Sequence, residues 1–298
     1  MLGATVEMFS ERLSVCASAH EQRVASFADA VRIGLGARPK SLPSMFLYDD
    51  LGSALFDAIC KLPEYYLTRA ERDILREHAD AIVAACDGPI DVIELGSGSA
   101  AKTRYIIESA VARQGTLRYS PIDISANALL ESAWELVAAH PDLRVQAYAG
   151  DYRDVLTRGD LRGDRPVLVL FLGSNIGNFG PGEAADLLRT VRTALVPGDG
   201  LLLGTDLLTD PRVHEAAYDD ATGVTAAFNK NLLGRINREL GATFDLRKFD
   251  HVARYDHRKG CVDSFLRSRV RHTVRIEALS MDVPFEAEET IFTESSYK

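Results

Sequence analysis

The chain has 298 residues, 46% hydrophobic and 26% charged, with a formal net charge of −9; that is long enough for one large or two modest domains, and an acidic surface disfavours a nucleic-acid partner. Its four cysteines, Cys16, Cys60, Cys86 and Cys261, include no C-x-x-C pair, and its seven histidines show no ligand spacing, so no metal site or disulfide framework is expected and a cytoplasmic location fits. No apolar run of about 18 residues and no signal-peptide core occur, so neither a membrane span nor export is expected.

Residues 1–43 read as helical, with a turn from Gly34 to Pro43. Helical patterns follow at 56–59 and 68–85. The second opens on Thr68 with Glu71 three residues on, the arrangement of a capping box. From residue 91, short runs rich in Val, Ile and Leu alternate with helical segments: 91–95 (DVIEL), 117–122, 145–148, 167–172 (VLVLFL) and 201–205. Such runs with helices between them predict a parallel α/β sheet covered on both faces. Beyond Asp206, Phe228, Leu232, Ile236 and Leu240 form one stripe of a helix that Gly241 can end. Period-two alternation from Val262 through Ser264, Leu266, Ser268, Val270, His272 and Val274 to Ile276 predicts one long half-buried strand. Arg267, Arg269, Arg271 and Arg275 would line its wet face, and a second strand is expected around 291–297. Residues 207–298 then make a small α+β lid, to which residues 1–60 add helices, over a sheet domain at 61–206.

The first predicted strand runs through Glu94 into Gly96-Ser97-Gly98. Glycines after a buried strand let a ligand approach the backbone, and the next helix N-terminus favours negative groups. The third glycine of the dinucleotide fingerprint is missing, since the turn continues Ala100-Ala101-Lys102, which argues against NAD or FAD. Asp123 ends the second strand, where a carboxylate can accept both hydroxyls of a ribose. Gly150-Asp151-Tyr152 ends the third, where Asp151 can accept from an adenine amine and Tyr152 can stack on its ring. This succession resembles the way class I, Rossmann-like methyltransferases present their groups to S-adenosylmethionine.

The fourth strand opens into Gly173-Ser174-Asn175-Ile176-Gly177-Asn178-Phe179. An uncharged polar loop there suits a small polar substrate, and Asn178 offers both donor and acceptor. Further strings are Tyr48-Asp49-Asp50 to Phe56, Leu62-Pro63-Glu64-Tyr65-Tyr66 with Thr68-Arg69, Glu94 to Ser99, Phe171 to Asn178, Ala217-Tyr218-Asp219-Asp220 and Thr293-Glu294-x-Ser296. On these strings the chain resembles the histidine Nα-methyltransferases of ergothioneine biosynthesis, from about residue 45 to 298.

The resemblance implies a class I S-adenosylmethionine-dependent methyltransferase sheet with an added α+β substrate-binding lid, and trimethylhistidine (hercynine) as the product of three transfers. Asn178 and Tyr218 would bind the substrate carboxylate, with Gly173 also touching the substrate. Glu294 and Ser296 would bind the imidazole, with Tyr65 assisting. Phe56 would wall the pocket, and Tyr48 would sit where amine and cofactor meet. Gly96, Ser97, Gly98, Lys102, Asp123, Asp151 and Tyr152 would serve the cofactor. The residue spacing agrees: Glu294 and Ser296 are two apart, so on a strand they share a face, and a carboxylate and a hydroxyl match the two nitrogens of an imidazole.

The reaction is a displacement at a sulfonium methyl by a neutral amine, so holding the nucleophile in line supplies much of the acceleration. A free α-amine has a pKa of about 8, and modest depression leaves it neutral. No obligatory His or Lys base stands in the motifs. Tyr48 and Asn178, with water, are the expected catalytic groups.

The sequence departs from the family pattern twice. Ser264 stands where the family usually carries methionine, on the inward face with Val262 and Leu266, which shortens and polarises the imidazole end. The sequence ends at Lys298, where the family continues with a helix and strands. The five strands counted cannot finish a seven-stranded sheet, so the fifth is expected to leave an exposed apolar edge. The expected assembly is a monomer, or a chain completed by a partner. Other functions stay open: N-methylation of another aromatic amine, such as a tryptophan derivative or a histidine-derived thiol precursor, or a cofactor-binding subunit with little activity alone.

Overall fold

The computed structural model describes residues 5–17, 27–158 and 160–298. In chain order it begins with strands β1 (Thr5–Ser10) and β2 (Leu13–Ala17), helix α1 (Phe27–Gly36), strand β3 (Lys40–Ser41) and helices α2 (Asp50–Ile59) and α3 (Leu67–Ala84). An alternating run follows: β4 (Asp91–Leu95), α4 (Arg104–Gln114), β5 (Leu117–Asp123), α5 (Ala126–Ala139), β6 (Leu143–Ala149), α6 (Tyr152–Val155), β7 (Val167–Phe171), α7 (Pro181–Ala194) and β8 (Gly200–Leu203). The remainder is α8 (Pro211–Tyr218), α9 (Val224–Leu240), β9 (Phe249–Asp256), β10 (Cys261–Ser268), β11 (His272–Ile276), β12 (Met281–Phe285) and β13 (Thr290–Tyr297). The chain divides into two compact units, one from Met1–Glu21 and Leu67–Asp206, the other from Gln22–Tyr66 and Leu207–Lys298.

The first unit is a seven-stranded sheet in the order β1-β2-β6-β5-β4-β7-β8. All neighbours are parallel except the β1–β2 hairpin. β4 and β7 are buried along their whole length, which is why their sequences are apolar without alternation. Successive side chains still go to opposite faces: Val92 packs with Ile106, Ile107 and Leu129, whereas Ile93 and Leu95 pack with Val155, Leu187 and Val191. From β4 the chain moves outward through β5 and β6, then returns to place β7 and β8 on β4's other side. That reversal puts a crevice at the carboxyl ends of β4 and β7, the usual binding place of such sheets.

Three sequence expectations change in this unit. The helical reading of residues 1–43 fails over 5–17, where the chain makes a hairpin whose β2 pairs in parallel with β6; residues 18–26 lie outside the described residues. Leu13 and Cys16 are buried against the sheet, and Arg12 donates to the carbonyls of Val137, His140 and Pro141 at 2.9–3.2 Å, closing the C-terminus of α5. The sheet therefore reaches seven strands through a hairpin that the sequence count of five did not include. On the opposite side β8 has β7 as its neighbour, and Leu201 there is exposed. Finally, the capping box at Thr68 gives way to another use of Glu71, described below.

The second unit carries a four-stranded sheet, β3-β13-β10-β9, and a two-stranded one, β11-β12. The single strand expected over 262–276 is two strands in different sheets. Alternation runs unbroken through the bend, which the period alone cannot show; Arg269 N–H donates to Lys248 O and Ser268 Oγ to Val270 O at the turn. α9 buries the predicted stripe Phe228, Leu232, Ile236 and Leu240, and Gly241 ends it in the left-handed conformation. α2 starts at Asp49, whose carboxylate accepts Gly52 N–H at 2.8 Å and also Asn231 Nδ2 at 2.6 Å. Gly52 has no substitute, because a Cβ there would lie 1.7 Å from Leu47 O. Leu67 rather than residue 61 opens the sheet unit, since Tyr65 packs on Phe56, and Tyr66 lies against His214.

Candidate active site

In the first unit β4 delivers the chain into the glycine turn. Gly96 and Gly98 have φ of 71° and 50°, the region glycine enters without strain, and a Cβ on Gly96 would stand 2.8 Å from Asn175 Nδ2. Asp123, at the end of β5, accepts Gly98 N–H at 2.8 Å and Ser125 N–H at 2.9 Å, so its carboxylate braces the turn. Burial raises its pKa above the ordinary carboxylate value, and those backbone donors work against that rise. Beneath the turn, Glu94 is buried and takes hydrogen bonds from Thr103 Oγ1 at 2.7 Å and from Tyr119 Oη. Desolvation pushes Glu94 up to about 7, ahead of the opposing effect of those hydroxyls.

Lys102 pairs with Glu71 on α3, and the same carboxylate accepts Gly173 N–H at 2.7 Å. Glu71 therefore ties the cofactor turn's lysine to the loop after β7. In that loop Ser174 is left-handed at φ 56°, an uncommon state for a non-glycine residue. Its hydroxyl accepts Asp206 N–H at 3.1 Å. Asn175–Asn178 then forms a single 3-10 turn that carries Asn178. Asp151 caps α6 through Arg153 N–H at 2.8 Å, and the Tyr152 ring stands edge-on to Phe171 at 5.7 Å.

These groups fit S-adenosylmethionine. Ser97 Oγ is buried without a hydrogen-bond partner among the described residues, which calls for a polar group from outside. Asp123 keeps further lone pairs for hydroxyls. Tyr152 offers a ring face beside an acidic residue.

The second unit holds a wall of aromatic rings. Tyr48 meets Phe56 at 5.5 Å and Phe228 at 5.4 Å, Phe56 meets Tyr65 at 6.1 Å, and Tyr65 meets Tyr218 at 6.1 Å, all edge-on or nearly so. Burial, then the neighbouring Tyr218, drives the Tyr65 hydroxyl well above its usual pKa, so it stays a neutral donor.

On β13, Glu294 lies directly across from Ser264 of β10, and Ser296 across from Val262. Ser264 and Ser296 are each 2% exposed, so Ser264 points inward as alternation predicts. Desolvation pushes Glu294 up to about 7, and the nearby Lys298 ammonium works against that rise. Tyr218 Oη and Ser296 Oγ are 2.5 Å apart. The resemblance implies opposite ends of the substrate for these two residues, Tyr218 at the carboxylate and Ser296 at the imidazole.

Tyr218 is held from behind. His251 on β9 donates Nε2–H to Tyr218 O at 2.7 Å, and its Nδ1 lies 2.8 Å from Asn229 Nδ2 on α9. The carbonyl can only accept, so the proton sits on Nε2 and Asn229 donates to Nδ1. Burial lowers the His251 pKa, which keeps this neutral tautomer.

The sequence model of the family described as histidine-specific, SAM-dependent methyltransferase matches residues 27–298. The chain belongs to that family. Among curated members of this histidine-methyltransferase group, the histidine N-alpha-methyltransferase of Mycolicibacterium smegmatis is 45% identical over 90% of this chain and 83% of its own length. The protein of the same name from Mycobacterium tuberculosis is 43% identical over 89% and 82%. Ergothioneine biosynthesis protein 1 of Schizosaccharomyces pombe is 30% identical over 86% of this chain but 34% of its own length.

Within this methyltransferase, Phe228, Asn229, His251 and Glu71 were not singled out as site residues by the sequence. Phe228 and Asn229 looked like one helix stripe and its neighbour. A polar Asn at a buried helix position was the signal available. Among the described residues no helix is long and apolar enough to cross a membrane.

Proposed function

We propose that the protein transfers methyl groups from S-adenosylmethionine to the α-amino nitrogen of free L-histidine, in up to three rounds, as a step of ergothioneine biosynthesis. The observation that carries the substrate reading is Glu294. A half-buried carboxylate whose desolvation outweighs the help of the nearby Lys298 ammonium, two residues along the strand from the buried Ser296 hydroxyl, is a costly arrangement that an imidazole relieves. The carboxylate accepts the ring N–H and the hydroxyl donates to the other nitrogen.

The cofactor, when bound, supplies an electrophilic methyl on a positively charged sulfur. The chain's residues then bind and orient. Gly96, Ser97, Gly98, Asp123, Asp151 and Tyr152 are assigned to the cofactor, with Lys102 able to leave Glu71 for an anionic group. Asn178, Gly173 and Tyr218 are assigned to the substrate, Asn178 for its carboxylate. Phe56 and Tyr65 exclude water beside the imidazole. Tyr48 is assigned to orienting the amine lone pair and accepting its proton into a water chain. Replacement of Tyr48 by Phe is expected to slow single-turnover methyl transfer about tenfold or more; an unchanged rate removes that role. The free cysteines fit a reducing cytoplasm, and the acidic net charge fits a small substrate rather than a nucleic acid.

The test is mass spectrometry of amines incubated with the protein and S-adenosylmethionine: histidine, its mono- and dimethyl forms, and tryptophan. Histidine gaining up to three methyls is the expected result. Methylation of tryptophan alone would favour the second reading, an aromatic-amine methyltransferase, to which the short Ser264 side chain is suited. No product from any amine would leave a cofactor-binding subunit.

A further inference from the structure

The alternation that puts Glu294 and Ser296 on one face of β13 continues to Lys298. Its Nζ lies 3.3 Å from Tyr218 Oη and 3.3 Å from Ser296 Oγ, and 4.7 Å over the Tyr218 ring. We propose that Lys298 is a positioning residue that sets the proton arrangement at the imidazole end, so that the strand face offers one acceptor and one donor and selects a neutral imidazole. The proposal rests on the histidine reading above.

The argument is a count of protons. An ammonium only donates, so both hydroxyl oxygens accept from Lys298. The bond between Tyr218 and Ser296 consumes one of their two hydroxyl protons. Whichever hydroxyl donates within the pair, the oxygen that receives it accepts from two partners, and the proton on that oxygen is the one left for a ligand. Lys298 thus turns an ambivalent hydroxyl pair into a single outward donor. Beside it stands the Glu294 carboxylate as acceptor.

A neutral imidazole carries one N–H and one bare nitrogen, and meets both. An imidazolium brings two N–H groups and a positive charge toward an ammonium. An indole has an N–H but no bare nitrogen, so the outward hydroxyl proton is left without a partner. Lys298 from its own strand and Tyr65 from the segment before α3 stand near Glu294, and burial holds the Tyr65 hydroxyl well above its usual pKa. Lys298 is therefore the neighbour whose charge favours the Glu294 carboxylate.

The test compares wild type with K298M and K298Q, measuring histidine KM and kcat from pH 6 to 9, the KM for tryptophan, and cofactor affinity. In both variants histidine KM at pH 8 is expected to rise about tenfold, with kcat at saturating histidine within about twofold. The pH at which histidine binding is half gained is expected to move up by about one unit, because Glu294 loses its cation. Preference for histidine over tryptophan narrows, and cofactor affinity is unchanged. An unaltered KM and pH midpoint in both variants would overturn the proposal. So would a joint fall of kcat, cofactor affinity and thermal stability, which marks a merely structural lysine. A wild type inactive on histidine would instead overturn the functional reading itself.

Discussion

Glu294→Gln is expected to raise the KM for histidine about a hundredfold, because a charged hydrogen bond in a buried site is worth roughly 1.5–3 kcal/mol and the amide also presents a donor to the ring N–H. At the same time the ligand-free variant is expected to melt higher than wild type at pH 8. The folded-state pKa of Glu294 is pushed from 4.5 to about 7 by burial. A carboxyl whose folded pKa lies above its unfolded value contributes its stability in full below about 4.5, and that contribution is lost as pH rises through 7. At pH 8 the ionised side chain therefore costs the empty protein about 2 kcal/mol, allowing for its partial exposure. Glutamine removes that cost. Histidine binding should follow the opposite course in wild type, strengthening as pH rises through 7 and the carboxylate forms. Thermal melts at pH 5 and 8, with and without histidine, check both signs. A variant that loses affinity and also melts lower at pH 8 would show that Glu294 holds the fold rather than the ligand.

Asp123→Ala is the second large effect. Its carboxylate braces Gly98 and Ser125 through their N–H groups and is assigned the ribose hydroxyls. Removing it deletes two hydrogen bonds to a charged acceptor from the ligand and frees the turn. Together these are expected to weaken S-adenosylmethionine binding a hundredfold or more, about 3 kcal/mol. Isothermal titration with cofactor alone reads this without any methyl transfer. Asp123→Asn separates the contributions: it can still accept from Gly98 N–H through its carbonyl, so it should keep the turn and lose about tenfold. An alanine variant that binds the cofactor as wild type does would remove Asp123 from the site.

The particular places where sequence and structure part company share a cause. Residues 5–17 carry apolar positions that fit a helix or a strand equally over so short a span, and pairing with β6, about 130 residues away in the chain, decides in favour of the strand. The break at 269–271 is invisible because alternation persists across it. Glu71 sits at a capping-box position, yet its carboxylate finds the Lys102 ammonium and Gly173 N–H, stronger partners than a helix-start N–H that water can satisfy.

What the sequence determined by itself is what local spacing and side-chain chemistry dictate. The buried parallel strands follow from unbroken Val, Ile and Leu runs, the ligand-approach turn from Gly96 and Gly98, the acid at the end of β5 from Asp123, and the shared face of Glu294 and Ser296 from a period of two. Tertiary structure alone decided the hairpin that extends the sheet, the packing of the Tyr48 and Phe56 rings around Phe228, the His251 support behind Tyr218, and the desolvation that raises Glu294. These depend on which distant segments meet and on how much water they exclude, and a free energy of desolvation belongs to an environment rather than to any stretch of sequence.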